Sequence, residues 1–134
     1  METLNKICDF FKEAKSFYIA TIDKDRPRVR PFGSYMIYNG KLYFSTADTK
    51  PFWQQIAENP NIELCSCDGK GEWLRIEATA NPDRRKVVKD KMLEQNPRLK
   101  QIYEKHGDSV ALFYITKATA TFENLVGKKE IFKF

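Results

Sequence analysis

Six consecutive residues, Ser45-Thr46-Ala47-Asp48-Thr49-Lys50, bring three hydroxyls and one ammonium to a point where an extended segment gives way to a helical one. A helix start adds unpaired backbone N–H groups and the positive end of the helix dipole. Dipole, N–H donors and a point charge within one turn suit a phosphate group. The same residues also read as an ordinary helix cap followed by a surface lysine. Upstream, Arg26-Pro27-Arg28-Val29-Arg30-Pro31-Phe32 alternates so that Arg26, Arg28 and Arg30 share one face of a strand. Like charges so placed repel one another unless an anion or solvent lies over them. A solvated edge strand, which Pro27 and Pro31 favour, is the plainer reading. Asn39-Gly40 lies between the two segments, and both residues tolerate positive φ, a strong hairpin signal. The hairpin register sets residues near 32–34 across from residues near 45–47, so the arginine strand and the hydroxyl-rich segment meet.

Other chemistries find less support. His106 is the only histidine, and Gly107 after it marks a helix end, where a basic side chain faces the dipole. One histidine without a Cys-x-x-Cys pair argues against a zinc site. The chain carries no Gly-x-Ser-x-Gly elbow, Walker loop or Gly-x-Gly-x-x-Gly fingerprint. Its three cysteines, Cys8, Cys65 and Cys67, are odd in number and form no disulfide framework. Cys65 and Cys67 face the same side of a strand and are expected to pack there as small apolar groups. Free thiols suit a reducing, cytoplasmic setting. Charges from Glu2 to Lys15 interrupt any signal-peptide core, and no apolar run is long enough to span a bilayer. The net charge of +5 fits a phosphate-bearing partner and equally a surplus of solvated lysines.

These segments need a scaffold, and 134 residues suffice for one domain, residues 1–134. Leu4, Ile7, Cys8, Phe11 and Ala14 fall on one face of a helix over residues 3–15, with Thr3 as its cap. Strands follow over residues 17–22, 26–38 and 41–45. A second helix spans residues 49–59, capped by Thr49, with Pro51 in its first turn. Two more strands cover residues 62–67 and 72–80. Residues 83–105 are charged and helical, divided at Asn96-Pro97. A last strand over residues 110–122 leads to a tail carrying Ile131, Phe132 and Phe134. Strands dominate, helices are peripheral and links are short, so the fold class is mainly β, an antiparallel barrel.

The order of these elements resembles the FMN-binding split barrels of the pyridoxamine 5′-phosphate oxidase-like family. The resemblance runs through Arg-x-Arg-Pro-Phe, Asn-Gly, Tyr-Phe-Ser-Thr, Thr-Lys at a helix start, Ile-Ala-Glu-Asn-Pro-Asn-Ile-Glu-Leu-Cys and the strand from Glu72 to Ala80. It covers nearly the whole chain and is nearest to the small nitroimidazole-resistance-type members. It implies a six-stranded antiparallel split barrel, a homodimer and two FMN molecules at the subunit interface. By that resemblance, Arg28, Val29, Arg30, Pro31 and Phe32 line the isoalloxazine ring. Ser45, Thr46, Thr49 and Lys50 hold the phosphate, with Arg28 or Arg30. Gln54 or Gln55 reaches the cofactor, and Trp73 and the aromatic tail close the site from the partner subunit.

The chain also departs from the family. Leu125 to Phe134 holds neither Arg nor His, so the C-terminal Arg-x-His substrate element of true pyridoxamine-phosphate oxidases is missing. Relatives that depend on a histidine near the cofactor have no counterpart here beyond His106. The expectation is therefore an FMN-dependent oxidoreductase acting on a nitroaromatic, a quinone or a nicotinamide, or else a flavin store or sensor. Haem or a deazaflavin is an alternative guest of such barrels. A third reading is an OB-like module binding single-stranded nucleic acid. Its stacking surface would be Tyr35, Tyr38, Tyr43 and Phe44, and its basic cluster Arg84, Arg85, Lys86, Lys89 and Lys91.

Overall fold

The computed structural model describes residues 1–134, the side chain of His106 excepted, so the expected placing of that side chain lies outside the described residues. The chain runs α1 (Glu2–Ala14), β1 (Phe17–Asp23), β2 (Arg26–Phe32), β3 (Tyr35–Tyr38), β4 (Lys41–Ala47), α2 (Pro51–Glu58), β5 (Asn61–Cys67), β6 (Glu72–Asp83), α3 (Lys86–Gln95), α4 (Pro97–His106), β7 (Val110–Asn124) and β8 (Lys129–Lys133). All strand pairings are antiparallel. The fold class is the expected split barrel, with eight strands where six were expected. Gly33-Ser34 divides the expected strand over residues 26–38, and the tail forms a strand, β8, along β7.

The sheet order β2-β1-β5-β6-β7-β4-β3 shows where the barrel is open. Its two ends, β2 and β3, are consecutive in the chain, joined by Gly33-Ser34, yet β2 pairs with β1 and β3 with β4. The β3–β4 ladder stops at Tyr35 opposite Phe44. Residues 32–34 and 45–47 therefore do not pair in a ladder as their register suggested. They splay apart and face one another across a cavity.

Period-two burial fills the barrel. Phe17, Ile19, Leu42, Phe44, Leu64, Leu74, Ile76, Phe113 and Ala120 point inward and are buried. α1 lays Leu4, Ile7 and Phe11 on this core, and the Phe11 and Phe17 rings stack 4.3 Å apart. Its cap position is Met1, with no side-chain cap, so Thr3 lies within the helix instead of capping it. Asn39 (φ 51°) and Gly40 (φ 73°) make the expected β3–β4 hairpin. On β5, Ile62, Leu64 and Ser66 take the inward face, which turns Cys65 and Cys67 outward. The two thiols do share a face, but Cys67 is exposed and the pair is not packed into the core. Outside the barrel, Val88 and Met92 of α3 join Met36, Tyr43, Val110 and Leu112 in a second apolar cluster. Leu99 and Tyr103 of α4 pack against its edge.

Candidate functional site

The cavity at the open side of the barrel encloses about 810 Å³. β2 contributes Arg28 to Phe32, β4 contributes Ser45 to Ala47, and Thr49, Lys50, Pro51, Phe52 and Gln55 come from the entry and first turns of α2. The two segments singled out in the sequence are thus brought to one place. Local chemistry sets the α2 entry. Pro51 occupies the first helical position, and the residue before a proline avoids the α region, so Lys50 is extended (φ −89°, ψ 149°) and becomes the cap residue. Thr49 is therefore not the cap, and no side chain caps α2.

Arg30 is the centre of the polar floor. Its Nη1 donates to Thr21 Oγ1 at 2.7 Å and to the Ile19 carbonyl at 3.3 Å, and its Nη2 donates to Gln55 Oε1 at 2.7 Å. The Thr21 hydroxyl donates to the same Gln55 oxygen at 2.5 Å. The guanidinium also lies 4.9 Å from the centre of the Phe52 ring. Thr21 (2% exposed) and Gln55 (7% exposed) are buried, so this network fixes the arginine head from behind. A guanidinium has five N–H donors, and these bonds use three, leaving two for a ligand. Burial, and then the neighbouring Arg28, shift Arg30 below the ordinary arginine range. An arginine still carries its charge there, and an anion would relieve both stresses.

The three arginines of β2 meet different fates. Arg28 Nε bonds Asp23 Oδ2 at 3.0 Å, and Arg26 stands at the exposed hairpin end opposite Asp23. Among the described residues, neither Arg30 nor Lys50 forms an ion pair. Asp23 is the only carboxylate in the cavity lining, and it is already paired with Arg28. The floor thus offers two uncompensated cations, the Ser45, Thr46 and Thr49 hydroxyls and an uncapped helix start. Such a set can bind a phosphate monoester by charge, dipole and directed hydrogen bonds together.

Ten of the expected site residues line this cavity: Arg28, Val29, Arg30, Pro31, Phe32, Ser45, Thr46, Thr49, Lys50 and Gln55. Gln54 is exposed and does not line the cavity, so of the two candidate glutamines only Gln55 reaches it. Trp73 lies on β6 opposite Cys67 and Glu123 and does not line the cavity. The sequence reading missed Thr21 and Phe52, which brace Arg30, and the wall of Leu99, Ile102 and Tyr103. A signal for that wall exists in apolar residues at i, i+3 and i+4 of an otherwise charged helix.

The nucleic-acid surface takes a different form from the one expected. Arg84, Arg85, Lys86, Lys89 and Lys91 are each paired, with Asp48, Asp83, Asp90, Asp108 and Glu94. Tyr43 and Phe44 are buried, which leaves no run of exposed rings for stacked bases.

Comparison with known proteins gives a consistent family picture. A family profile described as pyridoxamine 5′-phosphate oxidase matches residues 4–129. A NimC/NimA family protein from Clostridium acetobutylicum is 37% identical, with a TM-score of 0.90 over 97% of this chain and 91% of that one. The haem-storage protein HutZ from Vibrio cholerae shares the fold at 15% identity and a TM-score of 0.66, over 96% and 92% of the two chains. A pyridoxamine 5′-phosphate oxidase-related, FMN-binding protein from Nostoc punctiforme does so at 12% identity and 0.64, over 97% and 95%. Curated proteins give no match. Among the described residues, no helix is long and apolar enough to cross a membrane.

Proposed function

Because the chain belongs to the pyridoxamine 5′-phosphate oxidase family, we propose that it is a flavoprotein that holds FMN in the cavity between β2 and β4 and uses it to reduce a small molecule. One observation carries this reading. Arg30 and Lys50 stand without carboxylate partners among hydroxyls and an uncapped helix start, in a cavity large enough for a cofactor. That donor set, cationic and rich in hydroxyl and N–H donors, suits a phosphate.

Bound FMN would supply the hydride or electron transfer. Arg30, Lys50, Thr49 and the first N–H groups of α2 would hold its phosphate, with Ser45 and Thr46 beside them. Val29, Pro31 and Phe32 would cover the ring and keep water from it. Gln55 keeps Arg30 in place and retains an amide Nε2 for the ligand, because both of its hydrogen bonds in the Arg30 network use Oε1. The reading includes a homodimer in which a partner's Trp73 closes the ring end, and a reducing, cytoplasmic setting for the three free cysteines. The acceptor belongs to the nitroaromatic, quinone or nicotinamide classes.

Titration of the purified chain with FMN and with riboflavin tests the reading. Saturable quenching of flavin fluorescence is expected, with FMN bound more tightly than riboflavin. A chain that takes up neither flavin, or binds both equally, would sink it.

A further inference from the structure

α4 is an unexpected wall for a charge-binding cavity. Arg98, Lys100, Gln101, Glu104 and Lys105 make most of it polar, yet Leu99, Ile102 and Tyr103 occur at i, i+3 and i+4 and line the cavity together. Leu99 and Tyr103 are supported from behind by the Val88–Met92 cluster. Ile102 is 51% exposed, and across the lining only Val29 (69%) is a comparably exposed large apolar side chain. These two side chains come from different elements, β2 and α4, and both border a floor built for an anion. Single exposed apolar residues are ordinary on a protein surface, but two on one cavity above an anion site describe a particular guest. It has a charged end and a broad apolar body.

The wall is braced in place. Asn96 Nδ2 donates to the Met92 carbonyl at 2.8 Å across the α3–α4 turn, and Lys89 pairs with Asp108 beyond the end of α4. Lys89 Nζ also lies 4.8 Å from the centre of the Tyr103 ring. Gly107 N–H closes the helix on the Tyr103 carbonyl at 3.0 Å, and Asp48 N–H bonds the Ser109 carbonyl at 2.8 Å. That last bond ties the end of α4 directly to the segment carrying Thr49 and Lys50.

We propose that α4 is the second wall of the flavin ring site within the same chain, with Ile102 and Val29 covering the ring system and Leu99 and Tyr103 backing them. This inference rests on the FMN reading and adds a positioning role for residues that touch no phosphate. Its test is Ile102→Gln, a neutral change at a half-exposed helical site with a good helix former. Losing one apolar face of the ring should weaken FMN and riboflavin alike by about tenfold. The FMN-to-riboflavin preference and the unliganded melting temperature should not move. In the wild type, bound FMN should also slow tryptic cleavage after Lys100 and Lys105. Ile102→Ala provides a second variant read the same way. Unchanged affinity for both flavins would overturn the proposal, as would a loss confined to FMN or cleavage indifferent to FMN. A wild-type chain that binds neither flavin would overturn the FMN reading and this wall together. Normal FMN binding with an unaffected Ile102→Gln variant would remove the wall alone.

Discussion

Two basic regions of this chain look alike in composition and differ in physics. On α3 and its approach, Arg84, Arg85, Lys86, Lys89 and Lys91 each have a carboxylate partner. In the cavity, Arg30 and Lys50 have none among the described residues, and Arg30 is held half-buried by a hydroxyl, an amide oxygen and a ring. Paired, solvated charges contribute little to stability and offer little to a ligand. A part-buried, unpaired charge such as Arg30 waits for an anion, because binding removes the cost of leaving it unpaired, while Lys50 stands exposed and free to close on the same anion. The number of basic residues therefore says less about a partner than the pairing state of each one.

Removing the braced cation should produce the largest effect. Arg30→Ala is expected to weaken FMN binding by about 2–5 kcal/mol, since it deletes a part-buried charge and its hydrogen-bond network together. Lys86→Ala, which loses only an exposed pair with Asp90 on α3, should leave FMN affinity unchanged. Fluorescence titration of the two variants compares the regions directly, and equal losses would break the distinction. Lys50→Ala should cost about 1.5–3 kcal/mol for FMN and almost nothing for riboflavin, as only FMN carries the phosphate. A loss shared by both flavins would move Lys50 out of the phosphate site.

Asp83 supplies the smallest of these effects and sharpens the comparison from the other side. Just before α3, its side chain is 7% exposed while the residue as a whole is half-buried. It accepts a 2.8 Å bond from the Tyr43 hydroxyl and another at 2.8 Å from Arg85. Arg85, and then Tyr43, against the opposing effect of burial, hold its carboxyl down to about 2. Burial first, and then the bond to Asp83, push Tyr43 up to about 12. A depressed carboxylate stabilises the fold above its unfolded value of roughly 4 and loses that contribution as pH falls through its folded value. Because Arg85, the main partner of Asp83, stands in solvent and is screened there, the loss should be on the order of 1 kcal/mol between about pH 4 and pH 2. Urea unfolding measured across that range should show it, and Asp83→Asn should flatten it. An unchanged acid limb in the variant would assign the loss to other groups.

Much of the scaffold was legible because single residues dictate it. Asn39-Gly40 announces its hairpin through backbone freedom, and the helical spacing of Leu4, Ile7 and Phe11 announces α1. The alternation of β5 placed Cys65 and Cys67 together but could not say which face is inward, because a period of two is symmetric between faces. The division at Gly33-Ser34 was hidden for a related reason. Strand-like residues continue on both sides, and only the choice of pairing partner separates β2 from β3. Thr49 was read as a cap because hydroxyls cap well, while Pro51 moves the cap to Lys50. Thr21 joins the site through pairing: it stands opposite Arg28 in the β1–β2 ladder, two residues from Arg30. Distances of that kind belong to the sheet, so the arginine and hydroxyl segments could be found in sequence while their support could not.

The Gly33-Ser34 link has a consequence for what this architecture can host. β2 and β3 are held together by two residues of main chain and by no ladder, so moving one end of the sheet from the other sacrifices no interstrand hydrogen bond. At Gly33 there is room for a side chain: a Cβ added there would meet no atom within 4 Å. The mouth of the barrel can thus be retailored by side chains alone while every strand pairing stays as it is.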